Sequence, residues 1–148
     1  MKVEIRIIPE QEDTTVVIQT PTMTHQAEEL AAYIRTWTPQ VLTLWQGEQA
    51  LRCSPADILR FYAEDKGVFA LLADGQVCTV RARLYELEEL LDRHTFVRIS
   101  HSEIVNLKQV TALDLSLSGT IKMTLANGAA VCYASRRYVK KIKQALGL

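Results

Sequence analysis

Four dipeptides that end in glycine, Lys66-Gly67, Asp74-Gly75, Ser118-Gly119 and Asn127-Gly128, each stand between short apolar runs. Glycine reaches positive φ without the steric cost a Cβ imposes, so such dipeptides mark tight connections between antiparallel strands. A chain punctuated this closely has little room for long helices. The runs "VFALL", "QVCTV", "QVTALDLSL", "TIKMTL" and "AAVCYA" are therefore expected as successive antiparallel strands.

Two segments carry helical spacing instead. "RLYELEELLD" places Leu84, Leu87, Leu90 and Leu91 on one face, and "SRRYVKKIKQALG" does the same with Tyr138, Val139, Ile142, Ala145 and Leu146, ending at Gly147. "SPADILRFYAED" is ambiguous by local rules. It offers Ser54 as a helix cap and Pro55 at the first helical position, yet "ILRFYA" is equally good strand material.

The N-terminal part reads differently. Alternation in "KVEIRII" and the β-branched run "TTVVIQT", joined by the polar "PEQED", suggest a hairpin. In "HQAEELAAYIRTW" the residues Ala27, Leu30, Ala31 and Ile34 follow helical spacing, with Thr24 as cap and Pro39 beyond the end. "VLTLW" returns as a strand. Residues 1–46 are thus expected as a β-β-α-β appendage, with Gly47 opening a second domain over residues 47–148.

Length and motifs narrow the function classes. The 148 residues suffice for one well-filled domain with a small addition. No apolar run approaches the roughly 20 residues needed to cross a bilayer, and "MKVEIRIIPEQED" lacks the apolar core of a secretory signal, so a cytoplasmic location is expected. Cys53, Cys78 and Cys132 are odd in number and widely spaced, which favours reduced thiols over a disulfide framework or zinc site. There is no G-x-G-x-x-G, P-loop, G-x-S-x-G or H-E-x-x-H, and His25, His94 and His101 lack metal-ligand spacing. The acidic pair Glu12-Asp13 faintly resembles a phospho-acceptor pocket, but the strand-helix alternation of a receiver is missing. No enzyme, cofactor or metal is expected.

The formal net charge is zero, yet it is segregated. From Phe96 onward Arg98, Lys108, Lys122, Arg136, Arg137, Lys140, Lys141 and Lys143 face only Glu103 and Asp114, a net +6 that the first 95 residues balance with −6. Blocks of opposite sign suggest that one end meets a polyanion; solvated charges without a task are the alternative. Lys140, Lys141 and Lys143 lie toward the end of a helix, where cations suit the dipole and need no further explanation. Arg136 and Arg137 are less comfortable. If Ser135 caps that helix, both sit in its first turn, where a bound phosphate would be held by free N–H groups and two guanidinium groups. A surface carboxylate would be the ordinary partner.

Taken in order, "ILRFYAEDKGVFALLADGQ", "FVRISHSEIVNLKQV", a strand pair joined by Asn-Gly, and "YASRRYVKKIKQAL" resemble the LytTR DNA-binding domain family of bacterial transcription regulators. The resemblance runs from about Gly47 to Leu148. It implies a mainly β fold of packed antiparallel sheets with a C-terminal helix, whose loops enter successive major grooves of double-stranded promoter DNA at repeated sites. It also implies that "ILRFYAE" is a strand after a turn at Ser54-Pro55. The family's DNA-contacting positions fall here on Lys66, His101 and Arg137. Many members carry arginine or lysine where this chain has His101, a departure that weakens the contact near neutral pH or makes it pH-dependent. Ser102 and Ser135 can donate to phosphate oxygens; Arg136, Arg98, Lys108 and Lys140 would add sequence-independent attraction. Asn106 reads as a buried amide that holds a loop.

The receiver domain that many relatives carry has no counterpart in this sequence, so phosphorylation is not the expected input. Relatives of this kind are often restrained by a small membrane protein, and the appendage is the candidate for that contact or for formation of a homodimer on DNA. The rival reading is a β-rich protein-interaction module whose basic face docks an acidic or membrane-protein partner.

Overall fold

The computed structural model describes residues 1–12, 14–36 and 40–148, so the expectations for Asp13 and Pro39 lie outside the described residues. The chain forms two compact units, residues 1–38 and 39–148.

In the first unit, α1 spans His25–Thr36. Thr24 caps it as expected: its Oγ1 accepts from Ala27 N at 3.2 Å and its carbonyl from Glu28 N at 3.1 Å. Ala27, Leu30, Ala31 and Ile34 are half-buried, and Val16, Ile18 and Met23 line a groove along the helix with Ala27, Ala31 and Ile34. The expected hairpin is not formed. Among the described residues no strand precedes Leu42, and Val3, Ile5 and Ile7 are all more than 80% exposed (81%, 87% and 88%). An isolated two-stranded hairpin is marginal in water, and nothing within a unit this small covers its apolar face.

The second unit is built on a seven-stranded antiparallel sheet of β1 (Leu42–Gln46), β2 (Gln49–Cys53), β3 (Ile58–Glu64), β4 (Gly67–Leu72), β5 (Val77–Val80), β6 (Phe96–Ser100) and β7 (Glu103–Asn106), ordered β2-β1-β5-β4-β3-β7-β6. A three-stranded sheet follows, β10-β9-β8, from β8 (Val110–Asp114), β9 (Ile121–Leu125) and β10 (Ala130–Ala134). Helix α2 (Leu84–Leu90) joins β5 to β6, and α3 (Val139–Ala145) follows β10. The strand Leu42–Gln46, expected in the appendage, belongs instead to this sheet, because it pairs with both β2 and β5.

Each face of the large sheet builds its own core. On one, Leu44, Phe61, Ala70, Cys78 and Ile104 pack with Leu84, Leu87 and Leu91 of the α2 region. Leu90, expected on that apolar face, is 54% exposed because the helix ends there. On the other, Leu59, Val97, Ile99 and Val105 meet Ile121, Met123 and Leu125 of the small sheet and Ile142 of α3. A register shift between Ile58 and Arg60 lets Ile58 and Phe61 share the first face. The segment that local rules left open is a strand after a 3-10 turn at Pro55–Asp57.

Candidate nucleic-acid interface

Strand direction decides which loops meet. β3 runs into the turn Asp65-Lys66 and β4 leaves it. β7 pairs antiparallel with β3, Tyr62 opposite Glu103, so the β6–β7 turn at His101-Ser102 lies at the same end of the sheet. Ala63 N donates to Ser102 O at 2.9 Å, joining the two turns through the main chain. Ser135 N donates to Ile99 O at 2.8 Å, which brings the end of β10 and the following 3-10 turn, Arg136–Tyr138, to that end as well. β9 starts at Ile121 opposite Ala134, so the β8–β9 loop (115–120) arrives there too. Four connections thus share one end of the unit.

Lys66, His101 and Arg137 are all exposed at this loop end. Asp65 and Lys66 have φ of +47° and +66°, the positive values that a two-residue hairpin turn requires. Gly67 does not supply them. A Cβ there would lie 3.0 Å from the Phe69 ring, which would have to shift by a few tenths of an ångström. Arg137 makes no hydrogen bond or ion pair among the described residues. Ser102 is exposed and Ser135 half-buried, and Lys140, Lys141 and Lys143 are exposed on α3.

Three expectations need correction. Arg98 is directed inward: its Nε donates to Ser100 O at 2.8 Å, its Nη2 to His101 O, and Nη1 lies 3.5 Å from Glu88 Oε1, leaving the side chain 12% exposed. It braces the β6–β7 turn. Lys108 sits in the 3-10 turn Leu107–Gln109 that follows β7, at the opposite end of the sheet. Arg136 and Arg137 are not in the first turn of a long helix; they occupy a 3-10 turn before the seven-residue α3, and the Ser135 side chain makes no cap. The helix-dipole argument for a phosphate therefore falls away, while the guanidinium groups remain. Arg136 packs on the β8–β9 loop so closely that a Cβ at Gly119 would lie 2.7 Å from its Nε.

Behind the turns lies a partly buried cluster. Arg60 Nη1 donates to Glu103 Oε2 at 2.7 Å and lies 3.8 Å from Cys132 Sγ, and its guanidinium carbon is 4.7 Å from the Tyr62 ring centre. Burial lowers the arginine's proton affinity, but the hydrogen bond and charge of Glu103 outweigh it and the net shift is upward. Burial first, then the Glu103 carboxylate, push the Cys132 thiol up to about 12, so it is no nucleophile at neutral pH. Asn106 is buried as expected: its Nδ2 donates to Ile58 O at 2.9 Å and its Oδ1 accepts from Lys108 N at 3.0 Å.

The LytTr DNA-binding domain matches residues 48–147, more than half of the chain. The protein belongs to the LytTR family. An uncharacterized HTH-type transcriptional regulator of Staphylococcus aureus strain NCTC 8325 is 42% identical over 93 residues, 63% of this chain and 61% of the relative, and its counterpart in strain COL matches equally. The aligned region thus spans less than two thirds of these relatives. The solved LytTr DNA-binding domain of a Bacillus cereus protein superposes with a TM-score of 0.68 at 24% identity, covering 73% of this chain and 97% of that domain. The LytTR fold is shared. Five strands separate α2 from α3, so these helices form no helix-turn-helix in this chain. Family membership makes residues 48–147 a DNA-binding domain and not an enzyme, and among the described residues no helix is long and apolar enough to cross a membrane.

Sequence reasoning did not tie the β8–β9 loop to the site or foresee that Arg98 serves the His101 turn. Ser118-Gly119 signalled a turn, but no local pattern links it to Arg136 some seventeen residues later.

Proposed function

We propose that this protein is a cytoplasmic, sequence-specific transcription regulator that reads repeated promoter sites by placing its loop end in successive major grooves. The observation that carries the reading is the meeting of Lys66, His101 and Arg137, from three distant parts of the chain, at one end of the second unit. Arg137 has the planar fork to donate twice to guanine, Lys66 reaches a base or phosphate acceptor, and His101 contributes a ring N–H donor. Ser102 and Ser135 donate to phosphates, and Arg136 with Lys140, Lys141 and Lys143 supplies sequence-independent attraction. The unit of residues 1–38 is the surface for a homodimer or a small membrane-protein inhibitor.

Fluorescence-anisotropy titration on promoter and scrambled duplexes tests this. Arg137→Ala is expected to weaken promoter binding by about 1–3 kcal/mol and flatten base preference, whereas Lys140→Ala weakens both duplexes alike with a shallower salt slope. Unchanged promoter affinity in Arg137→Ala would remove that residue from the reading set.

A further inference from the structure

Arg81 lies in the acidic part of the sequence and has no role in the reading above. It directly follows β5, whose Val80 is opposite Val68 on β4, one residue from Gly67 and the Lys66 turn. Arg81 is therefore at the loop end too, on the flank away from β6. Trp45 on β1 pairs with Thr79, and strand alternation puts Trp45, Thr79 and Arg81 on one face. There the Arg81 guanidinium carbon stands 3.4 Å from the centre of the Trp45 ring, a distance that a guanidinium reaches when it lies flat on the indole.

Such a stack uses the π-face of the guanidinium and leaves its N–H donors free around the edge. Arg81 is exposed and makes no hydrogen bond or ion pair with any described residue. Two other arginines of the same sheet are occupied: Arg60 by Glu103, Arg98 by its own turn and Glu88. A fixed fork with free donors and no carboxylate is a receptor for an oxyanion. Position says which one. With strands about 4.8 Å apart, the end of β5 lies about 7 Å to the side of the β3–β4 turn, comparable to half the roughly 12 Å width of a major groove. A residue that far beside a turn inserted in the groove meets its wall, where the phosphates are.

We propose that Arg81, held against Trp45, is a DNA-backbone contact that grips the phosphate at the wall of the groove entered by Lys66. Trp45 is the positioning residue; Arg81 makes the contact. The inference rests on the loop end being the DNA-binding surface.

The test is anisotropy titration of the full chain on promoter and scrambled duplexes across a salt series, with ethylation interference alongside. Arg81→Ala is expected to bind both duplexes about 3- to 10-fold more weakly at low salt, with the logarithmic salt slope reduced by about one and base preference intact. Arg81→Lys recovers only part of the loss, since lysine lacks the fork. Trp45→Leu reproduces the loss, and Arg81→Ala on that background adds nothing. One phosphate whose ethylation impairs the parent protein ceases to matter in Arg81→Ala. Parent-like affinity and slope in Arg81→Ala, with the parent binding its promoter, overturn this inference and leave the proposed function standing. A parent protein that binds neither duplex overturns both.

Discussion

Lys66 is held at φ +66°, where a residue with a Cβ is disfavoured by about 1–2 kcal/mol, and it follows Asp65 at +47°. Nothing in the packing asks for lysine there, so the strain is consistent with selection for the charge at the turn. Asparagine tolerates this conformation better. Lys66→Asn is therefore expected to gain about 0.5–1 kcal/mol in urea unfolding while binding DNA more weakly; a variant that is less stable and binds as tightly would remove the strain account. The sequence pointed to this turn through Lys66-Gly67, but for the wrong residue: the positive φ values fall on Asp65 and Lys66, and Gly67 instead leaves room for the Phe69 ring. Charge was legible in Arg98 and Lys108, and direction was not. A run of residues displays its cations, but which end of a strand each occupies depends on partners far away in the chain.

Between elements, the tie that matters most is Asn106. Its amide links the end of β7 to the carbonyl of Ile58 at the start of β3 and to Lys108 N. Asn106 is 1% exposed and Ile58 is fully buried, so the Ile58 carbonyl has no water as a substitute. Asn106→Ala is expected to cost about 1–3 kcal/mol, with the buried Ile58 carbonyl losing its partner; thermal melts showing a loss well below about 1 kcal/mol would mean that the strands re-pair or water enters. Asn106 was readable in advance because a polar residue between apolar stretches must find partners. The strands bounded by glycine turns, β4, β5, β9 and β10, were equally readable. β6 and β7 were not, since the His101-Ser102 turn has no glycine and is held by Arg98 and Ser100 instead; β2 was hidden because Gly47, expected at a domain boundary, is the turn between β1 and β2. "ILRFYAE" needed the family resemblance, because its strand state is decided by neighbours on both sides. The N-terminal hairpin failed for the opposite reason: local alternation was present and the layer to pack against was not.

On the scale of the whole molecule, both cores lie inside residues 39–148. A fragment of those residues is expected to unfold cooperatively and to bind a single duplex site about as well per domain as the full chain, measured by circular dichroism melting and anisotropy. A fragment without a cooperative transition would show that residues 1–38 complete the fold. The first unit exposes Val3, Ile5, Ile7, Val16, Val17 and Met23, more apolar surface than 38 residues can hide among themselves. The loop end works the other way, exposing side chains from a framework locked by main-chain bonds. Since Ala63 N to Ser102 O and Ser135 N to Ile99 O involve no side chain, the intervals between the turns at the loop end are independent of which side chains they carry. Under the proposed function the domain thus separates its ruler from its alphabet: exchanging Lys66, His101 or Arg137 would rewrite the word that is read without altering the spacing at which it is spelled.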